Sequence, residues 1–196
     1  MLIITKKEPR ETCHKSVADT FQTTITEGGV QLSEQLTHID ENGDVRMVDV
    51  SEKDNTKRIA IAEGFISMKQ ETLDLIVEGK AAKGDVLACA RVAGVMAAKQ
   101  TSSLIPMCHP LLITKAKIDC EPVTAGVRGD GRVGIHILAT CGVTGKTGIE
   151  MEALTAASVA CLTVYDMCKA VDRGMEIMDV RLLKKDGGKS GLWERE

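Results

Sequence analysis

The chain of 196 residues is almost without aromatic side chains, with one Trp, one Tyr and two Phe. Too few rings are present to build a stacking platform for single-stranded nucleic acid. A net charge of -3 argues equally against a broad cationic surface for a phosphate backbone. Nucleic acid is therefore not an expected partner, and the core has to be aliphatic. A CxxC pair is also missing: the seven cysteines, at 13, 89, 108, 120, 141, 161 and 168, are scattered and odd in number. With no signal-like apolar segment, they read as reduced thiols in a cytoplasm rather than a disulfide framework. No apolar run is long enough to span a membrane, so no membrane partner is expected.

What is present fits one compact domain with a real core. Residues 1–36 lack sustained periodicity and are expected to be a mobile tail. The domain is expected over 37–191, with a short tail at 192–196. The Asn42-Gly43 pair suggests a hairpin turn. Strands are expected at "RIAIAEGFISM", "LLITKAKIDCEPV", "GRVGIHILATCGV" and "EIMDVRLL". The "RGD" between the second and third belongs to a hairpin tip rather than to adhesion. "KQETLDLIVEG" reads as a short amphipathic helix stopped by Gly79. "GDVLACARVAGVMAAKQTSS" reads as a helix capped by Asp85, slim enough in Ala and Gly94 to approach a neighbour closely. Strands outnumber helices and some are joined by hairpins, which predicts an α+β domain with a mainly antiparallel sheet and helices on one face.

The most informative helix is "EMEALTAASVACLTVYDMCKAVDRG", expected to run to Gly174. Steps of about 100° place Glu152, Thr155, Ser158, Thr163, Asp166 and Lys169 on one side. Ala153, Ala157, Ala160, Cys161, Val164, Cys168 and Val171 take the other. Asp166 and Lys169 are spaced for an i,i+3 ion pair, ordinarily a surface feature. On a stripe covered by substrate or partner, the same pair could hold or move a proton.

"LIPMCHP" sets Cys108 beside His109 between Pro106 and Pro110, which forbid a helix there. A metal site, a thiol with its base, a rigid binding loop and an ordinary buried pair all fit that dipeptide. Zinc would need two further ligands that no local spacing supplies, so no metal is expected. "CGVTGKTGIE" ends like a P-loop, but Thr140 stands where the first glycine should be, and the segment leads into Glu150 and Glu152. It is better read as a tight strand-to-helix turn. Lys83, Arg91, Lys99, Lys184, Lys185 and Lys189 are cations that could together hold a polyphosphate.

Three stretches carry a resemblance: "KGDVLACARVAGVMAAKQTSSLIPMCHPLLIT", "GVTGKTGIEMEALTAASVACLTVYDMCKAVDRGM" and "VRLLKKDGGKSG". Together they resemble the MoaC family, the cyclic pyranopterin monophosphate synthases of molybdenum cofactor biosynthesis. The likeness runs from about Met47 to Gly191. It implies a lyase that rearranges 3′,8-cyclo-7,8-dihydro-GTP into cyclic pyranopterin monophosphate and diphosphate without a cofactor. It also implies a ferredoxin-like protomer in a homohexamer, a trimer of dimers with sites at subunit boundaries. Carried onto this sequence, Asp166 is the active-site residue, with Lys169 as acid or base beside it. Met107, Cys108 and His109 form the substrate-binding loop. Met151 and Glu152, with Glu150 close by, face the purine end. Lys83, Lys99 and Lys185 surround the nucleotide, Lys83 being counted with the catalytic pair, and Arg91 matches less well. Two other classes remain: a non-catalytic nucleotide-binding oligomer, and a zinc module centred on Cys108 and His109. The Asp166–Lys169 pair favours an enzyme, since mere binding needs no acid and base.

Overall fold

The computed structural model describes residues 46–196; the 1–36 tail and the Asn42-Gly43 turn lie outside the described residues. Strands β1 (Thr56–Ser67), β2 (Lys115–Val123), β3 (Gly134–Gly145), β4 (Glu176–Asp186) and β5 (Trp193–Glu194) form one sheet in the order β2-β3-β1-β4-β5. Every pairing in it is antiparallel. Helices α1 (Gln70–Val77), α2 (Val86–Lys99), α3 (Thr101–Leu104) and α4 (Glu150–Cys168) complete an α+β fold. The first four strands and the crossovers β1-α-β2 and β3-α-β4 give the ferredoxin-like split βαβ pattern.

Side-chain alternation decides which face the helices cover. Ala60, Ala62 and Ile66 of β1, with Ile135, Ile137, Ala139, Cys141 and Val143 of β3, are buried in the core with α4. The other face carries polar groups: Glu63 accepts from Arg181 Nε at 2.6 Å and meets His136 Nε2 at 2.8 Å. At the β2–β3 tip, the arginine of "RGD" is tied down. Arg128 bonds Asp130 and Asp179 and lies 4.3 Å above the Phe65 ring. Apart from Phe65, the largest fully buried side chains are aliphatic or small, as the scarcity of rings requires.

Helix α2 starts where expected, with the Asp85 carboxylate accepting from Ala88 N at 2.9 Å. A β-carbon on its Gly94 would lie 3.0 Å from Ile118 Cγ1 and 3.1 Å from the Ala156 carbonyl oxygen of α4. The missing side chain is thus what lets α2 lie against α4. Lys83, just before α2, reaches Asp166 near the end of α4. The two helices therefore run antiparallel, and the end of α2 at Lys99 lies level with the start of α4.

Several expected boundaries differ. The α2 helix does not continue through Ser103; it breaks at Gln100, where buried Thr101 turns its hydroxyl back onto the Ala97 and Ala98 carbonyls. Residues 46–50, after the Asn-Gly pair, are irregular rather than strand, and β2 begins at Lys115 instead of Leu111. The 192–196 segment contributes β5, which pairs with β4 through Lys184–Glu194 and Lys185–Trp193. Helix α4 ends at Cys168, not at Gly174, and Val171 is exposed rather than buried.

The cause of that early stop is Asp172. Its carboxylate, almost wholly buried, accepts from Lys69 N at 3.0 Å, Thr72 Oγ1 at 3.3 Å and Gly174 N at 3.1 Å. It caps the start of α1 while turning the chain out of α4. The Lys69 amide bond, more than any other, holds this carboxyl below its ordinary 3.8. Its contribution to stability is full above 3.8 and is lost as pH falls through the lower folded-state value. Replacing Asp172 by Ala strands buried donors and should cost about 3 kcal/mol at neutral pH. Urea unfolding at pH 7 and in strong acid should show a deficit that shrinks in acid.

Candidate active site

Helix α4 carries a charged group at each end. Near its carboxyl end, Asp166 sits between two ammonium groups. Lys169 Nζ lies 2.7 Å from Oδ1, and Lys83 Nζ lies 2.9 Å from Oδ2 while also bonding the Asp166 carbonyl oxygen at 2.9 Å. Lys169 comes from the same helical face and Lys83 from the loop between α1 and α2. The Lys169 hydrogen bond, followed by the Lys83 bond, holds the Asp166 carboxyl down to about 2. Lys169 is pushed above its ordinary value by the same bond. The trio is about half exposed. It is a carboxylate that holds two ammonium groups together at the surface.

At the amino end of α4 lies a pocket of about 290 Å³. Met107, Cys108 and His109 form one side, Thr147, Gly148 and Glu150 with Met151 and Glu152 another, and Val48, Val50 and Lys53 a third. The prolines do their expected work. After α3 the chain turns at Ile105, and Cys108 N bonds the Ile105 carbonyl at 3.1 Å, leaving the Cys-His pair on a loop. Glu150 folds back over the turn before α4, where a β-carbon at Gly148 would lie 1.8 Å from Glu150 Oε2.

Glu152 is the unusual member. It is 3 % exposed, and among the described residues no cation lies within ion-pair distance. Burial, with Glu150 adding repulsion, raises its carboxyl. Burial and then Glu152 also raise the Cys108 thiol, the opposite of the shift that activates a thiolate nucleophile. A ligand with N–H donors would relieve the buried carboxylate.

The polar stripe is thus two separate clusters rather than one. Ser158 and Thr163, between its ends, turn their hydroxyls onto the Leu154 and Val159 carbonyls at 2.8 Å. Fourteen residues separate Glu152 from Asp166, about 20 Å along the axis. Lys99 lies at the pocket end through the antiparallel packing of α2, and it is exposed. Lys185 joins neither group; its ammonium bonds Ser190 Oγ and the Gly191 carbonyl of the terminal loop. Lys184 pairs with Glu194, and Arg91 is exposed on α2.

A family model described as the MoaC family matches residues 47–188, from just before the pocket wall to the terminal glycines. The chain belongs to the MoaC family. It is 57% identical over 162 residues to proteins named cyclic pyranopterin monophosphate synthase from Brucella ovis, Brucella melitensis and Brucella abortus. The alignments cover 83% of this chain and 94% of each relative. Both ends of α4 and the Lys83 loop lie inside the matched segment. The third wall of the pocket in this MoaC chain is not legible in the sequence. Val48, Val50 and Lys53 belong to an irregular stretch whose only signal was proximity to the start of the family likeness.

Two titrations check the electrostatics. In Lys169→Ala or Lys83→Ala protein, the Asp166 carboxyl should move up from about 2 toward its ordinary 3.8, as read by carboxyl NMR. For Glu152 the sign reverses. Its folded-state value is raised, so its ionisation costs stability as pH climbs through the raised value. Glu152→Gln should remove that fall and raise the melting temperature at neutral pH.

Proposed function

We propose that this chain converts (8S)-3′,8-cyclo-7,8-dihydroguanosine 5′-triphosphate into cyclic pyranopterin monophosphate and diphosphate in the cytoplasm. The observation that carries the reading is the Lys83–Asp166–Lys169 trio within a segment of MoaC type. Relatives of this chain bear the name of that synthase. Opening and closing rings and cyclising a phosphate move protons and expel diphosphate, which is work for ammonium groups and carboxylates. Asp166, ionised at neutral pH, orients both ammonium groups. Either can donate a proton to a departing nitrogen or oxygen. When a covering surface removes water, the charged form of Lys169 is disfavoured and Lys169 can take a proton back. Glu152, with Glu150 and Met151 beside it, accepts from the N–H edge of the guanine-derived ring, and the Met107–His109 loop closes on it. Lys99 and Lys185 offset phosphate charge.

One substrate has to meet both ends of α4, which lie about 20 Å apart in one chain. We therefore place the pocket of one copy against the trio of another, in a homohexamer of three dimers. Exposed apolar side chains on the outer sides of α2 and α4, Val92, Met96 and Leu162, fit burial between copies.

Purified protein given the cyclised GTP derivative should release diphosphate and form the pterin product. Substrate held without turnover would favour a nucleotide-binding protein instead. Asp166→Asn should lower kcat about 10²- to 10⁴-fold with little change in melting temperature. Mixing Lys169→Ala subunits with His109→Ala subunits should restore part of the lost activity, because a mixed pair contains one intact composite site. Failure to complement after verified subunit exchange would confine each site to one chain.

A further inference from the structure

The lysine of the discarded "GKT" motif has a definite partner. Lys146 Nζ donates to the Ser51 carbonyl oxygen at 2.6 Å. Ser51 belongs to a short turn with bonds of its own: Ser51 N to Asp49 Oδ1 at 2.8 Å, and Lys53 N to the Val50 carbonyl at 3.1 Å. Asp49 is held below its ordinary value by Ser51 first, with Lys146 and His109 adding attraction. The segment is neither helix nor strand, so the sheet ladder does not fix it. Yet Val48, Val50 and Lys53 on it line the pocket opposite Glu150 and Glu152.

The other end of the tie is rigid. Lys146 follows β3 directly, and Arg58 of β1 holds its carbonyl at 3.2 Å and that of Gly145 at 3.1 Å. The same turn runs on through Thr147 and Gly148 to Glu150, all lining the pocket. One ammonium group therefore joins two walls of the cavity, a wall built into the sheet and helix and a wall of irregular chain.

We propose that Lys146 is a positioning residue. By anchoring Ser51 it holds the 48–53 strap as the outer wall of the pocket, and so sets the affinity for the guanine-derived ligand without taking part in proton transfer. The affinity arm rests on the function proposed above; the anchoring arm does not. Lys53, carried on the strap, is the cation that this anchoring brings to a pocket otherwise walled by two carboxylates.

The test uses the full chain with Lys146→Met, which keeps the length of the stem without the charge, and Lys146→Arg, whose guanidinium can still reach the carbonyl. Hydrogen exchange of the 48–53 amides should become several-fold faster in the methionine variant, with β3 and α4 unchanged, and return toward normal with arginine. With the cyclised GTP derivative as substrate, KM should rise about tenfold in Lys146→Met while kcat stays within about twofold, the signature of lost uniform binding. Arginine should rescue KM. Unchanged exchange at 48–53 overturns the anchoring, and faster exchange with an unchanged KM overturns its role in affinity. Exchange is measured on the protein alone. An unsubstituted protein that turns nothing over would sink the proposed reaction, and exchange would still decide whether Lys146 anchors the strap.

Discussion

The close approach of α2 to α4 is the contact on which the functional geometry depends. It passes through Gly94, where a side chain would press on Ile118 and the Ala156 carbonyl. Because the helices are antiparallel, this single contact sets two distances at once. Lys83 comes to Asp166 at one end, and the loop after Lys99 comes to the start of α4 at the other. A bulkier residue at Gly94 would part the helices and loosen both clusters together. The small side chains along α2 and α4 thus position charged groups that none of them touches.

Much of the architecture was legible because it is written in local chemistry. The alternation at Ile135, Ile137 and Ala139 gave the buried face of β3, Asp85 gave the start of α2, and Pro106 and Pro110 gave a non-helical Cys108 and His109. The stop of α4 was not legible. It depends on Asp172 bonding to Lys69 and Thr72, about a hundred positions away, and no local rule anticipates such a partner. A glycine at 174 looked like the stop because helix-ending glycines usually are. The break at Gln100 is local in cause but faint in sequence, since a threonine hydroxyl must choose a backbone carbonyl over solvent.

The sequence offers the candidate site as a list of residues and not as a layout. A helical projection compresses nineteen residues onto one circle, so Glu152 and Asp166 looked like neighbours. Along the axis they are far apart, and Ser158 and Thr163 between them bond to their own helix. The resemblance to a family names the residues as one set, and only the folded chain separates them into a buried acidic pocket and an exposed lysine-carboxylate trio. Lys185 illustrates the same limit. Beside Gly187 and Gly188 it reads as a phosphate-loop lysine, and in this chain its ammonium also ties down the loop that follows. That loop is tight, because a β-carbon at Gly187, where φ is +97°, would lie 2.2 Å from the Lys57 carbonyl oxygen.

The aliphatic core has a consequence for the thiols that fill part of it. Cys120, Cys141 and Cys161 are buried, and burial pushes their pKa values up to about 11 for the first and about 12 for the other two. Cys168 and Cys108 are also shifted upward. Oxidants and alkylating agents attack the thiolate, so the buried sulfurs of Cys120, Cys141, Cys161 and Cys168 behave as small hydrocarbon groups. Among the described residues, that leaves Cys89, on the outer side of α2, as the one exposed thiol. Within residues 46–196, Cys89 is therefore the exposed thiol at which an added maleimide dye would report whether the surface beside Val92 and Met96 is open or covered by another copy.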